Sequence, residues 1–153
     1  MLFRSLARTN LTELDLYKTA NTLFVTPDNC LEGLREQIVL DGKTQVMPTY
    51  GIRRGFVVLF PEDVGEGMAR YSVSLDNIEK AGHYVSLSQI RDDYKLDILV
   101  TGASAVNYAG ARFGKGNGFF DLEWAMLCQI GAVVDSTPVI AFVHESQLVD
   151  VKL

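Results

Sequence analysis

Five short apolar runs alternate with stretches of helical periodicity, and that alternation limits what this chain can fold into more than any other feature. The runs are "NTLFVT", which ends at Pro27, then "KTQVMP", "GFVVLFP", "LDILVTGASAV" and "TPVIAFV". Each reads as a strand, and the fourth and fifth have the continuous apolar character of buried parallel strands. Between them, "NLTELDLYKTA" places Leu11, Leu14 and Tyr17 on one side of a short helix, which Asn10 and Glu13 open with the spacing of a capping box. "DNCLEGLREQIVLDG" is a helix with Leu31, Leu34 and Ile38 on one face and Gly42 just past its end. A short helix follows Ser88, and Trp124, Leu127, Cys128 and Ile130 mark a last helix that Gly131 terminates. Strands alternating with helices predict an α/β fold with a mostly parallel sheet and helices on both faces. No linker, repeat or low-complexity stretch divides the chain, so one domain over residues 1–153 is expected.

Composition narrows the function classes. At 153 residues, 48% hydrophobic and 22% charged, the chain can bury a core without disulfide or metal staples. A net charge of -5 offers no basic surface for nucleic acid. No apolar run approaches the ~20 residues of a membrane-spanning helix, and "MLFRSLARTN" is too polar after Phe3 for a secretory signal. Cys30 and Cys128 both fall inside helical apolar patterns and read as buried, reduced thiols, which points to the cytoplasm.

The chemistry concentrates in "GARFGKGNGFFDLEWAML", Gly110 to Leu127. It is not a Walker A loop, because Gly116 follows Lys115 where a hydroxyl residue should hold magnesium, and its glycine spacing is not the dinucleotide-binding fingerprint. "DILVTGAS", Asp97 to Ser104, resembles the nucleotide-binding turn of short-chain dehydrogenases, but the glycines that should follow are replaced by Val106 and Tyr108. The glycine loop nevertheless has the physics of an anion site. Glycines let successive N–H groups converge, a helix N-terminus follows, and Arg112 and Lys115 add positive charge. Asp121, in the first turn of that helix, could hold a metal ion or simply favour the helix dipole. The alternative is a β–α turn with incidental charge. Phe119, Phe120 and Trp124 have the character of core residues, with at least one of the phenylalanine pair buried. His83, His144, Arg53 and Arg54 read as surface groups, as do the scattered carboxylates Asp135, Glu145 and Asp150.

The combination of glycines, arginine, aromatic pair and aspartate resembles the signature G-x-R-x-G-x-G-x-G-[YF]-[YF]-D of the 5-formyltetrahydrofolate cyclo-ligase family. It falls here on Gly110, Arg112, Gly114, Gly116, Gly118, Phe119, Phe120 and Asp121. "DGKTQVMPTYGIRRGFVVL", "LDILVTGASAVNYAGAR" and "STPVIAFVHESQLVD" are similar to the branch of synthetase-domain proteins, and the likeness covers roughly residues 25 to 150. The resemblance implies a Rossmann-like three-layer α/β sandwich, similar to the sugar-phosphate isomerase and CoA-transferase superfamily. It also implies ATP- and Mg2+-dependent closure of 5-formyltetrahydrofolate to 5,10-methenyltetrahydrofolate, in which the formyl oxygen is phosphorylated, N10 attacks and phosphate leaves. On that reading Arg112 and Lys115 are the phosphate cations. The loop through Gly114, Gly116, Asn117, Gly118, Phe119 and Phe120 wraps ATP and borders the folate, and Asp121 holds the metal. The family's usual Asp-Arg is Asp121-Leu122 here, and its cationic N-terminal helix is expected to be missing. These departures support a second reading, a nucleotide- or folate-binding module without turnover. A reduced folate is the expected small-molecule partner under either reading, and a homo-oligomer is among the expected assemblies.

Overall fold

The computed structural model describes residues 2–151, with side chains from residue 6 onward; Met1, Lys152 and Leu153, which the expected domain includes, lie outside the described residues. Two helices, α1 (Leu2–Glu13) and α2 (Asp15–Thr19), lead into β1 (Thr22–Val25). A 3-10 turn at Asn29–Leu31 and α3 (Glu32–Leu40) connect β1 to β2 (Thr44–Pro48), and β3 (Phe56–Leu59) follows. Short helices α4 (Ala69–Ser72) and α5 (Ile78–Ala81) precede β4 (His83–Val85), and α6 (Leu87–Asp93) returns the chain to β5 (Ile98–Gly102). The hairpin β6 (Ala105–Asn107) and β7 (Arg112–Phe113), α7 (Phe119–Gln129), β8 (Val139–Phe142) and β9 (Leu148–Val149) complete it.

The main sheet has six strands in the order β4-β3-β2-β1-β5-β8. β1 pairs in parallel with β2 and β5, and β5 in parallel with β8, whereas β3 runs antiparallel to both β2 and β4. The expected mostly parallel sheet is therefore a mixed one. The reason lies between β2 and β3: "TYGIRRG" is a tight turn, with Gly51 at φ 63° and Thr49 N–H donating to the Gly55 carbonyl, and so short a connection can only reverse the chain. A second sheet of three strands, β7-β6-β9, stands beyond the carboxyl end of β5.

Alternation along β1 sends Leu23 and Val25 to one face and Phe24 to the other. The first face packs against Leu11 and Tyr17 of the N-terminal helices and Leu34 and Ile38 of α3, while the second packs against Ile90 of α6 and Leu127 of α7. On the β2–β3 side, Met47, Val57 and Leu59 are covered by Ala69, Val73 and Ile78 around α4 and α5. Helices thus cover both faces of the sheet, as the strand–helix alternation predicts.

Three expectations shift. The opening helix begins at Leu2, so Asn10 and Glu13 lie in its last turn and not at its start, and Leu14 is exposed where Leu11 and Tyr17 are buried. A helix does therefore stand at the N-terminus, with Arg8 packed over Gly33 of α3. Strand β8, expected to be buried, lies at the sheet edge with Val139 exposed, because nothing pairs with its outer side among the described residues. Cys30 and Cys128 are half-buried and not disulfide-bonded.

Candidate functional site

The two crossover units set the position of the site. α3, after β1, packs on one face of the sheet, and α7, after β5, packs on the other. The chain therefore leaves the two adjacent strands in opposite directions, and a crevice opens between them at their carboxyl ends, where open α/β sheets bind ligands. A cleft of about 640 Å³ occupies this switch point. Thr26 and Asp28 after β1 form one side, and Gly102 to Ser104 with the glycine loop form the other.

The β6–β7 hairpin carries the glycine loop to the cleft. Asn107 shapes its turn, its Oδ1 accepting from the N–H groups of Ala109 and Ala111 at 3.1 and 2.9 Å. Gln147 pins the strand's exit by donating to the Ala103 carbonyl at 2.6 Å. Residues 114–118 then cross the cleft mouth to α7. Gly116 sits at φ 84° with open space around it, and Gly118 occupies the N-cap position of α7 at φ 67°, so both use backbone conformations that an L side chain adopts only with strain. Arg112, Gly114, Lys115, Gly116, Asn117, Gly118, Phe119, Phe120 and Asp121 all line this one cleft.

Their side chains are already partnered. Arg112 is largely buried, its Nη2 donates to Asp121 Oδ1 at 2.9 Å, and its guanidinium lies 4.7 Å from the centre of the Phe120 ring. Phe120 and Trp124 are partly buried and pack against the core, while Phe119 is 40% exposed and reaches over Gly51, so the pair divides but neither phenylalanine is fully buried as expected. Lys115 Nζ spans the mouth to Asp28 Oδ1 at 3.3 Å.

Asp28 and Glu123, two carboxylates in the same cleft, were not singled out in the sequence. Asp28 is saturated: Oδ2 accepts from Thr26 Oγ1 at 2.7 Å and from Gly102 N–H at 3.1 Å, and Oδ1 faces Lys115. A Cβ at residue 102 would stand 3.0 Å from Asp28 Oδ2, so glycine is what lets the carboxylate approach. Burial alone would raise the Asp28 pKa, but the bonds from Thr26, Gly102 and Lys115 outweigh it and hold the carboxyl below its ordinary value. Beneath it, the buried Arg35 donates to the carbonyls of Asp28 (2.9 Å), Thr26 (3.3 Å) and Val73 (3.1 Å), tying the residue 26–28 loop to the end of α4. Burial lowers the Arg35 pKa to about 10, which leaves it charged at neutral pH.

Glu123 is the opposite case. It is 2% exposed, and its Oε2 has no hydrogen-bond partner. Burial, reinforced by the negative charges of Asp28 and Asp121 and opposed by Arg112, pushes its pKa up to about 8. At neutral pH it holds its proton unless donors meet it. One signal could have found it: Glu123 stands three residues after Phe120 and four before Leu127, an acid on the apolar face of its helix. Asp28 had a weaker signal, its place immediately after the proline that closes a strand.

The other candidates lie outside the cleft. Arg54 pairs with Glu79, His83 with Asp63 at 2.8 Å, and His144 Nδ1 meets Ser146 in the turn before β9. Asp135, Glu145 and Asp150 are exposed, and among the described residues no group of three or more His, Cys, Asp or Glu is set to hold a metal ion. No described helix is long and apolar enough to cross a membrane.

Fold and site together define an open α/β protein with a glycine-rich loop lining a cleft at its switch point. The sequence matches the model of the 5-formyltetrahydrofolate cyclo-ligase family over residues 4–152, and the chain belongs to that family. The match begins well before the expected residue 25. It is 32% identical over 148 residues to the methenyltetrahydrofolate synthase domain-containing protein of Homo sapiens, covering 95% of this chain and 38% of that protein. The proteins of the same name from Bos taurus and Danio rerio are 32% and 31% identical, over 90% and 91% of this chain and 36% of each relative. The chain thus spans little more than a third of the curated relatives it matches.

Proposed function

We propose that this protein binds ATP and a reduced folate in the switch-point cleft and closes 5-formyltetrahydrofolate to 5,10-methenyltetrahydrofolate, in the cytoplasm. The observation that carries this reading is that Arg112, Lys115, Gly114, Gly116 and Gly118 line one cleft of about 640 Å³ together with the N-terminus of α7. The donor set fits a polyphosphate. Two cations and three glycines line the mouth, and the first turn of an eleven-residue helix follows them. Asp121 is a single exposed carboxylate at that mouth, which suits Mg2+, an ion that takes one or two carboxylates and completes its shell with phosphate and water. When bound, the metal would offset phosphate charge.

The chain's own residues bind and orient. Arg112 and Lys115 exchange Asp121 and Asp28 for phosphate oxygens, the glycine amides fix the phosphate chain, and Phe119 and Tyr50 border the folate. The decisive assay is the absorbance of methenyltetrahydrofolate formed from 5-formyltetrahydrofolate and Mg-ATP. Product formation that disappears in Arg112→Ala supports the reading, and no product from folded protein overturns it.

One observation favours the alternative of a binding module without turnover. Leu122, where the family's usual arginine would stand, is 52% exposed, and both remaining cations already face carboxylates. Titration calorimetry showing tight Mg-ATP or folate binding, with no methenyl product, would select it.

A further inference from the structure

We propose that Glu123 is the specificity-determining residue of the cleft, accepting the paired N–H donors of a flat heterocycle. On the folate reading, on which the identity of the heterocycle rests, this is the amino-lactam edge of the pteridine ring.

Buried polar atoms without partners are rare in folded proteins and collect at functional sites. Glu123 is buried, lines the cleft, and leaves Oε2 unpartnered. The neighbouring cations do not supply the missing bond, since Arg112 donates to Asp121 and Lys115 to Asp28. Asp28, which lines the same cleft, receives three donors, so the fold supplies bonds to one carboxylate and withholds them from the other.

The chemistry of the missing partner follows by elimination. A phosphate would go to Arg112, Lys115 and the glycine loop and not to a carboxyl group, and among the described residues no group of three or more His, Cys, Asp or Glu is set to hold a metal ion. What remains is an N–H donor. A flat occupant fits best, because the exposed aromatic rings of Tyr50 and Phe119 line the same cleft, with Phe119 against Gly51 beside Tyr50. Adenine presents one exocyclic N–H pair beside a ring acceptor, which a second carboxylate oxygen would repel. A pterin presents its N3–H and 2-amino group side by side, two donors for two oxygens, the geometry that makes bidentate recognition of a carboxylate strong.

The test uses the 153-residue chain and intrinsically fluorescent fragments: pterin, and lumazine, which has an oxo group in place of the 2-amino group. Wild-type protein is expected to prefer pterin by about tenfold or more, since a site built to hydrogen-bond a ligand N–H rejects the analogue lacking it. In Glu123→Gln that preference falls towards one, while Mg-ATP affinity stays within about twofold, and a melting curve confirms the variant is folded. An unchanged preference in Glu123→Gln overturns the inference, as does a loss that falls on Mg-ATP, or wild-type protein that does not discriminate the two rings. The folate reading is decided separately by titrating 5-formyltetrahydrofolate into the same wild-type sample. Binding there without pterin preference leaves that reading standing and removes only the role of Glu123, whereas no binding of either removes both.

Discussion

The two sides of the cleft are built on different principles. On the β1 side, the Arg35 guanidinium donates three hydrogen bonds to carbonyls, with only its Nη2 left over, and Asp28 accepts from Thr26 and Gly102. On the β5 side, the glycine loop is held by ion pairs at the surface, with the Asp121 and Lys115 side chains each 76% exposed. Buried hydrogen bonds to charged groups contribute to stability, whereas exposed ion pairs contribute little. One side is therefore scaffold and the other is free to exchange its partners for a ligand. Glu123 stands between the two and belongs to neither: it is buried like Arg35, but it makes none of the three bonds by which Arg35 is held.

The sharpest way to break this contrast is at Arg35. Arg35→Ala removes the side-chain donor from the Thr26 and Val73 carbonyls, leaves the Asp28 carbonyl with only the Leu31 N–H, and opens a cavity, so a loss of about 3–5 kcal/mol is expected in urea denaturation. A loss below about 1 kcal/mol would show that the β1 side is not held as described. Next comes Glu123→Gln. The folded-state pKa of Glu123, about 8, lies above its ordinary 4.5, so the folded protein binds the proton more tightly than the unfolded chain. The stability this gives is complete below pH 4.5 and is lost as pH rises towards 8. The glutamine variant is expected to match wild type near pH 4 and to exceed it by up to ~5 kcal/mol at pH 9, read from denaturant midpoints across pH.

Gly116→Ala sharpens the comparison from the other side. The residue has open space around it but φ 84°, so only backbone strain, about 1 kcal/mol, should appear in the melting temperature, together with weaker phosphate binding. Asp121→Asn removes an exposed pair worth about 1 kcal/mol or less, yet should abolish the magnesium dependence of ATP binding measured by calorimetry. Unchanged magnesium dependence would leave Asp121 as a first-turn carboxylate alone. The smallest stability effect is expected at Lys115→Ala, a few tenths of a kcal/mol and vanishing in high salt, while Mg-ATP affinity falls about tenfold, as the loss of one charge-assisted contact implies.

How much of this was legible in the sequence depended on range. The strands, the last helix and the glycine loop could be read because their signals are local: period-2 and period-3.6 patterns, prolines at strand ends, glycines at fixed spacing. The antiparallel course of β3 was also local in origin, in the short turn 49–55, but its consequence for the sheet is a fact of pairing. β8 illustrates the limit. "TPVIAFV" reads as buried, and its burial depended on how many strands would lie beyond it, which no pattern inside the segment records.

By itself the sequence determined the class of fold, the position of the glycine loop between a strand and the last helix, and the family to which the chain belongs. Tertiary structure alone decided which carboxylates would share the cleft. Asp28 and Glu123 are 95 residues apart in the chain, and their opposite states, one saturated with donors and one left without, follow from which N–H groups the β1–β5 crossing brings within reach. Hydrogen bonding and desolvation act over a few ångströms of space, so they are settled only when distant segments meet.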